Sequence, residues 1–190
     1  KHENFTGTTQ LKLDNSGRLL LGTTSIGFSA GDNFTLADSG HCGITVRSGT
    51  SSEGNLFFSD GTSGDDQIRG YVQYNHSNNN LILATDAVER MRITSSGQLL
   101  IGTTSTTGIS AGSDDIVIGS IGDSTYRGIT FATTSEAAIR WADAGDNAMG
   151  RIEYSNSADN MTFHTSNAQR MRIDSSGRVG IGTNTPSNLL

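Results

Sequence analysis

The side chains able to do chemistry are carboxylates, four histidines, one cysteine and a few aromatics. Glu53, Asp60, Asp65, Asp66, Asp114, Asp115, Glu136, Asp143, Asp146 and Glu153 are scattered along the chain. Glycan cleavage needs two carboxylates facing each other across a groove, and chain spacing picks out no such pair. They read as solvated or interface charge. Asp65-Asp66 lies in a Gly- and Ser-rich loop, but the ordered ligand spacing of a calcium loop is missing. His2, His41, His76 and His164 have no Cys or His at ligand spacing. A ring of three copies of His76 or His164 about a three-fold axis is the one metal arrangement to weigh, and loop polarity or strand packing is preferred. Trp141, Tyr71, Tyr74, Tyr126 and Tyr154 read as cross-strand aromatic pairs in preference to a sugar-stacking platform. Cys42 is single, which excludes an intrachain disulfide and a cysteine metal cluster, and reads as a small buried residue. There is no phosphate-binding loop, dinucleotide fingerprint or zincin motif. No catalytic residue, cofactor or metal is expected. Asn4-Phe5-Thr6, Asn33-Phe34-Thr35, Asn75-His76-Ser77 and Asn160-Met161-Thr162 match the glycosylation pattern, as chance predicts in a chain so rich in Asn, Ser and Thr.

The elements that carry these residues follow from composition and repeats. Hydrophobic residues are 33% of the 190, below the ~45–50% of globular domains, a benchmark that also counts Gly. Gly occurs 24 times and Pro once. Gly, Ser, Thr and Asn are poor helix formers, which argues against a helical bundle. The absence of long apolar strands argues against a doubly wound enzyme. The scarce apolar residues alternate in ordered clusters, unlike a disordered chain. Net charge is −6 with no basic run, so no nucleic-acid partner is expected. No apolar stretch approaches a membrane span, so no membrane insertion is expected. Nearly all the positive charge is Arg, which suits planar pairing with carboxylates.

Three segments share one template. They run Leu11-Lys12-Leu13-Asp14-Asn15-Ser16-Gly17-Arg18-Leu19-Leu20-Leu21-Gly22-Thr23, then Met91 to Thr103, then Met171 to Thr183, starting 80 residues apart each time. An apolar–basic–apolar triplet, a polar turn ending in Ser-Gly and a second alternating strand predict a β-hairpin. Gly17, Gly97 and Gly177 should supply the positive φ that closes it. Leu19 and Leu21, Leu99 and Ile101, Val179 and Ile181 should each share a face.

The intervening segments match too: Gly43–Val46 with Gly128–Phe131, Leu56–Asp60 with Ile139–Asp143, Gly70–Tyr74 with Gly150–Tyr154, Leu81–Thr85 with Met161–Thr165. The chain therefore reads as residues 1–23 ending a preceding repeat (closing hairpin 11–23), modules 24–103 and 104–183, and a linker 184–190. The expected fold is all-β, tandem hairpin and meander repeats. Asp86–Ile93 and Ser166–Ile173 read as turn then strand.

Glu89-Arg90-Met91-Arg92-Ile93-Thr94-Ser95-Ser96-Gly97, the run from Gln169 to Thr183, and Arg69-Gly70-Tyr71-Val72-Gln73-Tyr74-Asn75-His76-Ser77 resemble the repeats of tailed-phage tail fibres, especially of marine phages. The resemblance covers nearly the whole chain. It implies an elongated, intertwined homotrimeric fibre in the virion tail, extracellular and non-enzymatic. Its partners would be its own copies, other tail or baseplate proteins, and a host cell-surface glycan or protein receptor. In that family the last repeat often precedes a self-cleaving intramolecular chaperone domain, and Gly182–Ser187 resembles that junction. The family often has Asn-Gly before the Arg-Met-Arg strand. Here Asp86-Ala87 and Ser166-Asn167 stand there, which leaves the turn type open.

The physics also favours an oligomer. Short strands with sparse apolar residues leave little core, and uncovered sheet edges attract other chains. Met91, Ile93, Leu99, Ile101, Met171, Ile173, Val179 and Ile181 are expected to bury against neighbouring copies. Arg90 and Arg92 are expected to face outward or across the interface. The alternatives are a polysaccharide-degrading tailspike and a cellular surface adhesin or extracellular filament subunit. Near-equal repeats without a long insertion favour the fibre.

Overall fold

The computed structural model of the chain describes residues 11–124, 127–145 and 149–187. It is all-β, 38% strand and 3% helix. Two compact units divide it, Lys1–Ser124 and Thr125–Leu190.

The first unit opens with a three-stranded sheet, β1 (Leu11–Leu13), β2 (Leu19–Leu21) and β3 (Phe34–Leu36). β1 and β2 form the expected hairpin. Gly17 has φ +81° and its N–H donates to the Asp14 carbonyl at 3.0 Å. The same closure recurs at Gly97 (φ +87°) and Gly177 (φ +77°).

A six-stranded sheet follows, each strand beside the next: β4 (Glu53–Phe58), β5 (Gly70–Asn75), β6 (Asn80–Thr85), β7 (Val88–Ile93), β8 (Leu99–Ile101) and β9 (Ile116–Ile118). A short 3₁₀ turn, Gly64–Ile68, joins β4 to β5. Asp86–Ile93 is turn then strand, as expected. Asp86 and Ala87 both take positive φ, 55° and 56°, which is the requirement of a type I′ hairpin turn. Asp-Ala therefore makes the turn that Asn-Gly makes most easily.

The second unit repeats this meander as β10 (Glu136–Trp141), β11 (Gly150–Ser155), β12 (Asn160–Thr165), β13 (Ala168–Ile173) and β14 (Val179–Ile181). Its tight turn, Ser166-Asn167, has the same positive φ pair, 49° and 55°.

Three features depart from the sequence reading. β3 joins β2 and β9 joins β8 in parallel, where only antiparallel neighbours were expected. Parallel pairing needs a crossover of a dozen or more residues. Residues 22–33 and 102–115 supply it in irregular Gly-, Ser- and Thr-rich chain. Asp32 and Asp114 anchor these crossovers to the hairpin turns. Arg18 Nη1 donates to Asp32 at 3.0 Å, and Gln98 Nε2 donates to Asp114. Second, Gly43–Val46 and Gly128–Phe131 alternate like strands but have no strand partner. Third, Cys42 is exposed, because it lies beside that unpaired segment, where no sheet covers it.

Register places the apolar residues on one face. In the first unit Leu56, Val72, Leu83, Met91, Ile101 and Ile118 lie opposite one another across all six strands. The neighbouring row is Gly54, Tyr74, Leu81, Ile93, Leu99 and Ile116. In the second unit the rows are Ile139, Ile152, Phe163, Met171, Ile181 and Ala137, Tyr154, Met161, Ile173, Val179. The buried apolar residues among those described are Leu20, Ile82, Ala84, Leu100 and Val117. Ile82, Ala84, Leu100 and Val117 lie on the opposite face of the six-stranded sheet. At the position matching Leu20 and Leu100 stands Gly180, where a Cβ would meet the Thr183 carbonyl oxygen at 2.7 Å because the chain folds back over the strand.

Candidate functional site

The apolar rows are the most distinctive surface of each unit. In the single chain they are exposed to half-buried: Leu56 is 59% exposed, Ile93 40% and Ile101 38%, while Leu81, Leu83, Met91 and Leu99 are half-buried. Phe58 and Trp141 extend the same faces at one end and are exposed too. Monomeric proteins rarely expose contiguous apolar patches beyond a few hundred Å². Beside β4, Val46 reaches over Gly54 and helps line a cavity of about 290 Å³ with Leu56, Val72, Tyr74, His76 and Leu81. The unpaired Gly43–Val46 segment thus borders the apolar face.

The carboxylates are mostly engaged locally. Arg69 gathers Asp66 at 2.7 Å, Asp86 at 2.8 Å and Asp60 at 3.4 Å, and these negative charges hold the Arg69 pKa above its ordinary value. Asp66 is thereby tied to a guanidinium, and Asp65 is exposed in the 3₁₀ turn. Glu53 accepts from Gln73 at 2.9 Å and Asn75 at 3.1 Å. The Asp115 side chain is exposed, and its backbone carbonyl accepts the Leu99 N–H at 2.8 Å. Asp143 accepts the Gly145 N–H at 2.8 Å. Glu136 lies at the start of β10, opposite Ser155. Glu153 pairs with Arg151 at 3.0 Å. Asp146 lies outside the described residues. No group of three His, Cys, Asp or Glu among the described residues is arranged to hold a metal.

His76 packs edge-on to Tyr74, ring centroids 4.9 Å apart. His164 Nε2 lies 3.0 Å from Thr162 Oγ1. Burial, and then the nearby Arg151 guanidinium, push its pKa below the ordinary value. His41 is exposed, and His2 lies outside the described residues. The aromatics split between faces. Tyr71 makes a T-shaped pair with Phe57 at 5.9 Å on the face opposite the apolar rows. Tyr74, Trp141 and Tyr154 belong to the apolar faces, and Tyr126 is outside the described residues. Among the described residues they form no single platform.

The basic residues of the signature are local too. Arg92 and Glu89 make two parallel hydrogen bonds on the face opposite the apolar rows. Arg90 Nε donates to Thr85 Oγ1 at 3.1 Å. Sequence reasoning missed the Glu89–Arg92 pair, because residues three apart on a regular strand face opposite ways. A β-bulge at Leu83/Ala84 leaves Arg90 as the extra residue and brings the two side chains to one face.

No protein-family model and no curated protein matches the chain. Among the described residues, no helix is long and apolar enough to cross a membrane.

Proposed function

We propose that this chain is a segment of a homotrimeric, non-enzymatic tail fibre of a phage, which contributes to host attachment through repeated weak contacts. The observation that carries the reading is the repeated apolar face. The six-stranded and the five-stranded sheet both align apolar residues across their strands and leave them exposed or half-buried in a single chain. Copies of the chain would cover the rows with matching rows, and the resemblance to tail-fibre repeats favours three. Placement in the virion tail, with tail or baseplate proteins and a surface receptor as partners, rests on that resemblance alone.

Sedimentation at micromolar concentration tests the assembly. A mass near three times 20.0 kDa is expected, and Ile93→Glu is expected to release single chains. A well-folded wild-type monomer would overturn the reading. Incubation with bacterial surface polysaccharides should release no oligosaccharide. Release would favour the tailspike.

A further inference from the structure

The faces opposite the apolar rows differ between the two units. Where the first has Phe57, Tyr71 and Ala84 side by side, the second has Arg140, Arg151 and His164. Arg140 and Arg151 are direct cross-strand partners, and like charges so placed repel. Among the described residues, the carboxylate recorded within ion-pair range of either is Glu153, 3.0 Å from Arg151 Nε and 3.9 Å from Arg140 Nη2.

A third guanidinium joins them from the next row. Arg172 is the counterpart of Arg92, but Gln169 stands where Glu89 would neutralise it. Arg172 Nε and His164 Nδ1 are both inaccessible and without a hydrogen-bond partner. The face thus carries three guanidinium groups and two carboxylates, with Glu153 beside Arg140 and Arg151, Glu136 at the far end of β10, and Arg172 two strands from Glu153 across Thr162, in a chain whose net charge is −6. The first unit shows that the same backbone accepts an aromatic pair and a neutralised arginine, so the scaffold does not demand the excess charge. Guanidinium forks match the paired oxygens of carboxylates and sulfates.

We propose that the Arg140–Arg151–Arg172 face of the second unit binds the carboxylate or sulfate groups of an acidic surface polysaccharide. This rests on the attachment reading above and names the ligand class. The guanidinium groups are few and spread over four strands, and the rest of the chain is acidic, which suits a sparsely charged glycan better than a nucleic acid.

Titration calorimetry on the full chain tests it, with oligogalacturonate, a sulfated oligosaccharide, a neutral dextran oligomer and a DNA oligomer as probes. One or both acidic oligosaccharides should bind, and which one does identifies the anion. Gln169→Glu, which gives Arg172 the partner that Arg92 has, and Arg151→Tyr, the residue of the first unit, should each weaken binding on the order of tenfold or more, about the worth of one charge-assisted hydrogen bond. Absence of acidic binding, equal binding of dextran, tighter binding of DNA, or wild-type affinity in both variants overturns the proposal. Sedimentation of the same samples separates the two readings. A trimer that ignores acidic glycans overturns the site alone. A monomer that binds them and loses affinity on Gln169→Glu overturns the fibre alone.

Discussion

Arg92 lies flat against Glu89 on the same strand, Nε donating to Oε1 at 2.5 Å and Nη2 to Oε2 at 2.6 Å. Both side chains are largely covered, 16% and 17% exposed, and the carboxylate holds the Arg92 pKa above its ordinary value. Glu89→Gln leaves a covered guanidinium without its counter-charge. It should lower the stability of the first unit by about 1–3 kcal/mol, read as a shift in the urea midpoint without a change of slope.

Gly97 sits at φ +87° with open space around the position of a Cβ. A Cβ added there meets no neighbour, so the cost of Gly97→Val comes chiefly from the left-handed backbone, about 1–2 kcal/mol. Ser95→Ala, two positions earlier, should be much milder. Equal thermal midpoints for Gly97→Val and the parent would refute the role assigned to the glycine.

Ala87 holds φ +56° in the type I′ turn without the freedom of glycine. Ala87→Gly should relieve the left-handed strain of about 1–2 kcal/mol and lose about 0.4–1 kcal/mol to the freer unfolded chain. A small net gain in thermal midpoint is expected. Asn167→Gly should gain less, since Asn tolerates this conformation better than Ala.

The Asp14 carboxylate accepts the Ser16 N–H at 2.8 Å, the Arg18 N–H at 3.0 Å and Arg18 Nε at 2.6 Å. The Arg18 side chain first, then the Arg18 N–H, lower its pKa from 3.8 to about 2. The folded value lies below the unfolded one, so this contribution is complete above pH 3.8 and is lost as pH falls through about 2. Asp174 is shifted the same way by Arg178. The middle hairpin uses Thr94 and Gln98 instead, with Gln98 N–H donating to Thr94 Oγ1 at 3.2 Å, and those two side chains do not titrate. Amide exchange between pH 5 and pH 2 should therefore loosen the turns at Asp14 and Asp174 before the one at Thr94. Asp14→Thr with Arg18→Gln should remove the acid sensitivity of the first.

The local level was legible in the residues alone. Alternation at Met91–Ile93 and Leu99–Ile101, with Gly97 between, specifies a hairpin and a shared face, because strand period and turn chemistry depend on a few adjacent residues. The 80-residue repeat carried that reading to both units, and the apolar rows follow from it. Tertiary structure decided what depends on distant pairing. β3 and β9 add in parallel after irregular crossovers, and no local pattern states which strand a long loop returns to. Gly43–Val46 alternates like a strand yet finds no partner, so Cys42 beside it is exposed. The bulge that unites Glu89 with Arg92, and puts Gln169 on the face of Arg172 in the second sheet, is a mismatch between two strands. A one-residue offset reverses which face a side chain joins, so those clusters exist only once the strands have paired.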